Sequence, residues 1–356
     1  MSEKLKTLRA RIDQVDARLV KLVSDRARLA QRIGHIKEGA AAYRPEREAQ
    51  VLRRVAGLNE GPLPDSALQR IYTEIMSACR ALEDHMSVAY LGPEGTYSQE
   101  AAMKHFGGTG PLRACGSIDE VFRSVETGAV GYGVVPVENS TEGAVGRTLD
   151  LLLNTGAKVC GEVMLPIRQC LMSKAKARNA IKTVYSHTQS LAQCQQWLAR
   201  NLPGAKQIAV VSNAEAARLA AGERSAAAIA SKTAAELYGL NLIAKNIEDE
   251  AKNTTRFLVL AAHDAAPSGR DKTSLILSTR NVPGAVHDLL TPLAQNGVSM
   301  TKLESRPARK GLWEYVFYVD IEGHREDANV AKALSALENK ASLFKNLGSY
   351  PVAVNT

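Results

Sequence analysis

In NTTRF (253–257) a threonine hydroxyl and an arginine guanidinium stand side by side, Thr255 and Arg256 opening the apolar run Phe257–Leu260. Such a run reads as a buried strand, so a hydroxyl and a fixed cation are delivered together to the edge of a sheet, where anionic substrates are handled. Three other polar turns carry related chemistry. GPEGTYS (92–98) offers Thr96 and Ser98, with Gly92 and Gly95 permitting close approach; VENSTEG (137–143) offers Asn139, Ser140 and Thr141; SHTQ (186–189) offers His187 and Gln189. Each reads as a strand-to-helix turn, a place for a helix cap or for an anion held by side-chain donors and N-terminal amides. A separate set of charges lies near the start of the chain: Arg9, Arg26 and Lys37, then Arg47 and Glu48 in PEREAQVL (45–52).

The elements that must position these groups fall into three stretches. From Leu5, apolar residues recur at Leu8, Ile12, Val15, Leu19, Leu22, Leu29, Ile33 and Ile36, the spacing of a heptad seam on one long helix. Two shorter helices follow near 45–58 and 65–85, separated by GPLPD (61–65). Three helices with so long a first member cannot bury that seam alone, which implies a dimer. The seam position without an apolar residue is 26, and it holds arginine. A cation there implies an anionic partner, the alternative being a stem packed sideways with its head in water. At ~1.5 Å per residue Arg9 is about 25 Å from Arg26 and Lys37 about 17 Å beyond it. One ligand cannot touch all three in one chain, but an antiparallel dimer brings Arg9 of one helix to Arg26 and Lys37 of the other.

From Ser87 short apolar strands alternate with helices: VAYLG, SQEAAMKHF, SIDEVFRSVETG and GYGVVPV, then TVYSH, LAQCQQWLAR, IAVVS, AAAIA and FLVLAA after the crossing segment KVCGEVMLPIRQCLM. That order predicts an α/β unit of two lobes with mostly parallel sheets and ligand between them. HDAAPSGRDK (263–272) reads as a linker. The remainder reads βαββαβ, a ferredoxin-like order.

The 356 residues exceed one ordinary core and predict two or three domains. Hydrophobic residues at 45% and charged residues at 23% exclude a disordered or fibrous chain. No segment is apolar enough to span a bilayer, and MSEKLKTLRARIDQ is no secretory signal, so a cytoplasmic protein without membrane contact is expected. The odd count of five cysteines, without metal-ligand spacing, points to reduced thiols and no metal. Residues 1–84 hold 16 Lys and Arg against 12 Asp and Glu, a net +4 of the total +8. The signs are interleaved, which suits small dianionic metabolites and gives no basic run for nucleic acid.

In this order and spacing, YLGPEGTYSQEA, GYGVVPVENSTEG, YSHTQSLAQC and NTTRF resemble prephenate dehydratase. Residues 1–86 resemble the all-helical class of chorismate mutase, and residues 272–351, with PGAV (283–286) and ESRP (304–307), resemble the ACT regulatory domain. The resemblance implies an intertwined three-helix mutase dimer, a two-lobed dehydratase over 87–264 of the periplasmic-binding-protein kind, and a ferredoxin-like sensor. It implies a bifunctional enzyme that rearranges chorismate to prephenate and converts prephenate to phenylpyruvate, inhibited by L-phenylalanine, a homodimer or higher oligomer needing no cofactor.

By resemblance, Arg9 of the second chain and Arg26 hold the chorismate carboxylates, Lys37 reaches the ether oxygen, and Glu48 beside Arg47 meets the ring hydroxyl. Cys79 and Glu83 stand where the family's best-known member has serine and glutamine. Ionised, Glu83 accepts only and repels the ether oxygen; protonated, it donates, so mutase activity is expected to decline as pH rises. For prephenate, Thr255 is the donor to the departing hydroxyl and Arg256 grips a carboxylate, while Thr96, Ser98, Asn139, Ser140, Thr141, His187 and Gln189 complete the site. Thr188 replaces a motif proline and leaves the placement of His187 open. Gly284, Ala285 and Val286 with Leu303, Glu304 and Ser305 would line the phenylalanine site. Two other readings remain: a ligand-sensing transcription regulator, and a dehydratase whose first 86 residues only dimerise it.

Overall fold

The computed structural model describes residues 3–36, 43–83, 86–308 and 315–354. Lys37 lies outside them. The apolar repeat of the first stretch makes one helix, α1 (Glu3–Ile36), and Pro45 at the first position of α2 (Pro45–Gly57) and the turn at Gly61–Pro64 set off α3 (Asp65–Arg80). No residue of α1 is buried: Leu8, Ile12, Val15, Leu19, Leu22, Leu29 and Ile33 are each between 48% and 63% exposed. The other two helices are docked. Tyr43, ahead of α2, is buried between Phe106 and Tyr132 of the next unit, with ring centroids 4.9 Å from each.

The first lobe begins with β1 (Val88–Leu91), α4 (Tyr97–Phe106), β2 (Leu112–Cys115), α5 (Ile118–Glu126) and β3 (Tyr132–Asn139), followed by β4 (Gly143–Ala144), α6 (Gly146–Asn154) and β5 (Lys158–Pro166). Local chemistry sets these boundaries: Ser117 caps α5 by accepting from the Glu120 amide at 3.2 Å, and the Glu120 carboxylate takes the Gly116 amide at 2.8 Å. Residues 167–169 cross to the second lobe, built from β6 (Cys170–Ser173), β7 (Thr183–His187), α7 (Thr188–Gln193), α8 (Gln195–Asn201), β8 (Lys206–Val210), α9 (Asn213–Gly222), β9 (Ala226–Ala230), α10 (Lys232–Leu237) and β10 (Asn241–Ala244). Residues 245–253 cross back into β11 (Thr254–Ala261), which inserts between β3 and β5.

The sheets run β2-β1-β3-β11-β5, with β4 on β3, and β10-β6-β9-β7-β8. They are mixed rather than mostly parallel. A strand that returns from the other lobe must run against its neighbours, and β11 is antiparallel to both β3 and β5. Three strands are absent from the sequence reading: β2, an edge with Arg113 and Ala114 exposed, the two-residue β4 and the short β10. The lobes touch at Gly95, where an added Cβ would meet Ala234 at 3.4 Å and whose φ of +86° is a backbone conformation that favours glycine.

The C-terminal unit comprises β12 (Asp271–Ser278), α11 (Ala285–Gln295), β13 (Met300–Pro307), β14 (Tyr315–Glu322), α12 (Ala328–Lys340) and β15 (Leu343–Pro351), in the antiparallel order β13-β14-β12-β15. It is the ferredoxin-like arrangement, with both helices over an apolar core of Leu275, Leu289, Val319 and Leu337. Its other face lies on the first lobe, so closely that a Cβ at Gly348 would stand 2.2 Å from the Val159 carbonyl oxygen. All five cysteines are buried and free. Among the described residues no helix is long and apolar enough to cross a membrane, and no group of His, Cys, Asp and Glu is arranged to hold a metal ion.

Candidate active site

A cavity of about 510 Å³ opens between the lobes. Thr255 enters it from the start of β11 and Asn139 from the end of β3, directly opposite one another in the register. Thr96 and Ser98 line it from the start of α4, and His187 and Gln189 from the β7–α7 junction. Ser140, Thr141 and Arg256 are not among its walls.

Each of those three departures has a physical reason. Side chains alternate along a strand, so with Thr255 and Phe257 facing the cavity Arg256 points to the back of the sheet. There it is buried, with Nε 2.8 Å from Glu162, Nη1 2.5 Å from Asp320 and Nη2 2.9 Å from the Tyr350 hydroxyl. These partners hold its pKa far above the usual arginine value in spite of burial. The Asn139–Thr141 turn leads not to a helix but back along β3 as β4, so helix amides play no part in it. Asn139 Oδ1 accepts from the Thr141 amide (3.1 Å), the Thr141 hydroxyl (2.7 Å) and the Glu142 amide (3.2 Å). Ser140 ties the turn to β11, accepting from the Thr254 amide at 3.0 Å and donating to the Lys252 carbonyl at 3.3 Å.

With Oδ1 so occupied, Asn139 Nδ2 must face the other way, and it donates to Asn253 Oδ1 at 2.7 Å and to Thr255 Oγ1 at 2.9 Å. The Thr255 hydroxyl is thereby made an acceptor toward Asn139, and its own proton is left for the cavity. Asn253, which no motif argument singled out, is 2% exposed, lines the cavity, and has no partner for Nδ2 among the described residues. On the opposite wall His187 caps α7, its Nδ1 accepting from the Gln189 amide at 3.4 Å, so a neutral ring carries its proton on Nε2. Thr188 occupies the first helical position, where proline is also at home, and the cap survives the exchange. Thr96 is engaged as a cap, donating to the Leu91 carbonyl at 3.0 Å and accepting from the Gln99 amide at 3.4 Å. Among the described residues the lining contains no Lys, Arg, Asp or Glu. An anion bound here meets hydroxyl, amide and imidazole groups.

A second cluster sits where α1, α2 and α3 meet. Arg26 Nη1 is 3.0 Å from Cys79 Sγ, Glu83 lies against Gly34, and Glu48 is ion-paired with Arg80. Burial raises the Glu48 pKa, while Arg80 and Arg26 oppose the rise. Arg80 was not anticipated; it also donates to the Phe106 carbonyl, so the residue that steadies Glu48 anchors the helices to the first lobe. Arg47 is exposed, and Arg9 lies far along α1 from this cluster.

Three family models match in succession: chorismate mutase type II over residues 8–84, prephenate dehydratase over 88–265 and the ACT domain over 273–339. A bifunctional chorismate mutase/prephenate dehydratase from Neisseria gonorrhoeae is 54% identical over 346 residues, covering 96% of each chain. The chain belongs to this bifunctional family. The Escherichia coli K12 member is 33% identical over 98% of this chain and 96% of its own. Among solved structures, a prephenate dehydratase from Arthrobacter aurescens in complex with L-Phe matches with a TM-score of 0.69 at 31% identity, over 75% of this chain and 90% of that one. A Staphylococcus aureus prephenate dehydratase matches with a TM-score of 0.66 at 27% identity, over 74% of this chain and all of that one.

The ACT sheet reaches the backs of the two strands that carry Asn139 and Thr255. Glu138 and Arg256 are register neighbours on β3 and β11, and Lys302 and Asp320 are register neighbours on β13 and β14. They join crosswise, Lys302 to Glu138 at 2.7 Å and Arg256 to Asp320 at 2.5 Å. Leu303, Glu304 and Ser305 follow Lys302 along edge strand β13, while Gly284 caps α11, which begins at Ala285 and Val286.

Proposed function

We propose that the chain carries out both reactions of its family, rearranging chorismate to prephenate on the helical unit and converting prephenate to phenylpyruvate in the interlobe cleft. The observation that carries the dehydratase reading is the fixed polarity of Thr255. Asn139 occupies its oxygen with an N–H bond, so the hydroxyl donates outward, toward the departing ring hydroxyl of prephenate. As the carboxylate carbon leaves as carbon dioxide, its bonding electrons flow into the ring and the C–O bond breaks. The departing oxygen takes up the proton that the Thr255 hydroxyl offers, which solvent then restores to Thr255, and leaves as water. Aromatisation drives the step, and the protein's part is to place the ring and stabilise charge on the leaving oxygen. Ser98, His187, Gln189 and Asn253 supply hydrogen-bond donors for the carboxylates.

In the mutase the ether C–O bond breaks as the new C–C bond forms, with no proton transfer. Arg26 and Glu48 form half of a site that Arg9 of a second chain would complete. The exposed seam of α1 supports a dimer built on that helix, and the division at residues 86/87 and 264/272 and a cytoplasmic location belong to the same reading. Feedback inhibition by phenylalanine belongs to the same reading, with Gly284–Val286 and Leu303–Ser305 as its site: a related prephenate dehydratase forms a complex with L-Phe, and crosswise ion pairs join the ACT sheet to the cleft strands. Thr255→Ala tests the dehydratase assignment. Turnover of added prephenate should fall by at least about a hundredfold, the scale of a lost transition-state donor, with mutase activity intact; equal loss of both would mean a folding defect.

A further inference from the structure

We infer that Ser190 is a substrate-binding residue of the cleft, donating its hydroxyl proton from the second lobe to a carboxylate oxygen while Thr255, on the first lobe, donates to the departing hydroxyl; this rests on the dehydratase reading above. Ser190 stands in the first turn of α7, is 3% exposed and lines the cavity. Its Oγ receives two N–H bonds, from Gln169 Nε2 at 3.0 Å and Asn213 Nδ2 at 2.8 Å.

Neither amide can be turned round. The backbone N–H of His187 can only donate, and it donates to Asn213 Oδ1 at 3.1 Å, which commits Nδ2 to Ser190. Gln193 Nε2 donates to the Glu142 carboxylate at 3.2 Å, so Gln193 Oε1 faces Gln169 and accepts from its Nε2 at 3.2 Å. Gln169 therefore also presents N–H to Ser190. With both lone pairs of Oγ filled, the hydroxyl is a donor only, and no described residue accepts its proton.

A buried donor without a protein acceptor is costly to desolvate, and an anion that accepts its proton offsets that cost. Among the described residues the lining holds no carboxylate that could take the proton and no Lys or Arg that could hold the anion in its place. The same device operates across the cavity, where Asn139 fixes the Thr255 hydroxyl as a donor. One lobe thus mirrors the other, and a dianion between them receives a directed hydroxyl from each side.

The test is steady-state kinetics with prephenate for wild type, Ser190→Ala and Ser190→Thr, with mutase rate and unfolding temperature measured on the same preparations. Ser190→Ala should raise KM ten- to hundredfold, the scale of a hydrogen bond to a charged group, with kcat within about threefold and the mutase unchanged. Ser190→Thr keeps the hydroxyl and should return KM to within about threefold of wild type. An unchanged KM in Ser190→Ala, or a threonine variant as impaired as the alanine one, overturns the inference in favour of a packing role. Should Ser190→Ala lose its cooperative unfolding transition, Ser190→Cys takes its place with the same rise in KM expected, because a thiol still accepts weakly but donates poorly. A wild-type protein that leaves prephenate untouched would sink the dehydratase reading and this inference with it.

Discussion

Lys302→Glu sets a carboxylate against Glu138 at the point where the ACT edge strand meets the back of β3. The native pair is 2.7 Å apart with side chains 12% and 37% exposed, so it is half in water. A pair of this kind contributes about 0.5–1 kcal/mol, and reversing one sign replaces attraction by repulsion of like size, a swing of about 1–2 kcal/mol. If the clasp stabilises the phenylalanine-bound state, that swing raises the concentration for half inhibition about five- to thirtyfold. Basal turnover of prephenate and of chorismate should remain within about twofold, because both charges lie outside the cleft and the mutase cluster. Glu138→Lys should shift inhibition in the same sense, and the exchanged pair Glu138→Lys/Lys302→Glu should restore it. The assay is dehydratase rate against phenylalanine concentration for the four proteins. Unaltered inhibition in Lys302→Glu, or a double variant no better than the singles, refutes coupling through this contact.

Asn253→Asp keeps the acceptor toward Asn139 and exchanges the orphan N–H2 for a charged oxygen facing the substrate; the KM for prephenate should rise at least about tenfold, and an unchanged KM would remove Asn253 from the site. Glu83→Gln supplies a permanent donor to the chorismate ether oxygen, so its mutase rate should vary less with pH than wild type, which should fall as pH rises; a wild-type rate flat across carboxyl titration contradicts this. His105 is half-buried, and desolvation of its ring with Arg80 nearby brings its pKa down to about 3. The unfolded chain binds that proton near pH 6.5 while the native state stays neutral, so stability is full above about pH 6.5 and falls on acidification at up to about 1.4 kcal/mol per pH unit. The unfolding temperature of His105→Gln should therefore depend less on pH between 6.5 and 5, and parallel curves would show that His105 contributes nothing.

Periodicity made the architecture legible. The seam of α1, the strand and helix alternation and the βαββαβ tail are one-dimensional patterns that local geometry turns directly into elements. The direction of β11 was not readable, because it depends on which neighbours the chain finds when it returns from the second lobe. Arg256 was misplaced for a reason already present in the sequence: adjacent strand residues face opposite ways, so Thr255 and Arg256 could not share a site. The polarity of the cleft was hidden more deeply. It is set by amide contacts between residues 23 to 116 positions apart, Asn213 with Ser190 and Asn139 with Asn253 and Thr255, and no local motif encodes them.

Chorismate supplied to the purified protein, with prephenate and phenylpyruvate followed separately in the presence and absence of phenylalanine, tests the central claim most directly. Prephenate should appear first, then phenylpyruvate, with phenylalanine suppressing the second step. Chorismate left untouched while added prephenate is converted would reduce the helices to a dimerisation element, and no reaction with either substrate would contradict the account.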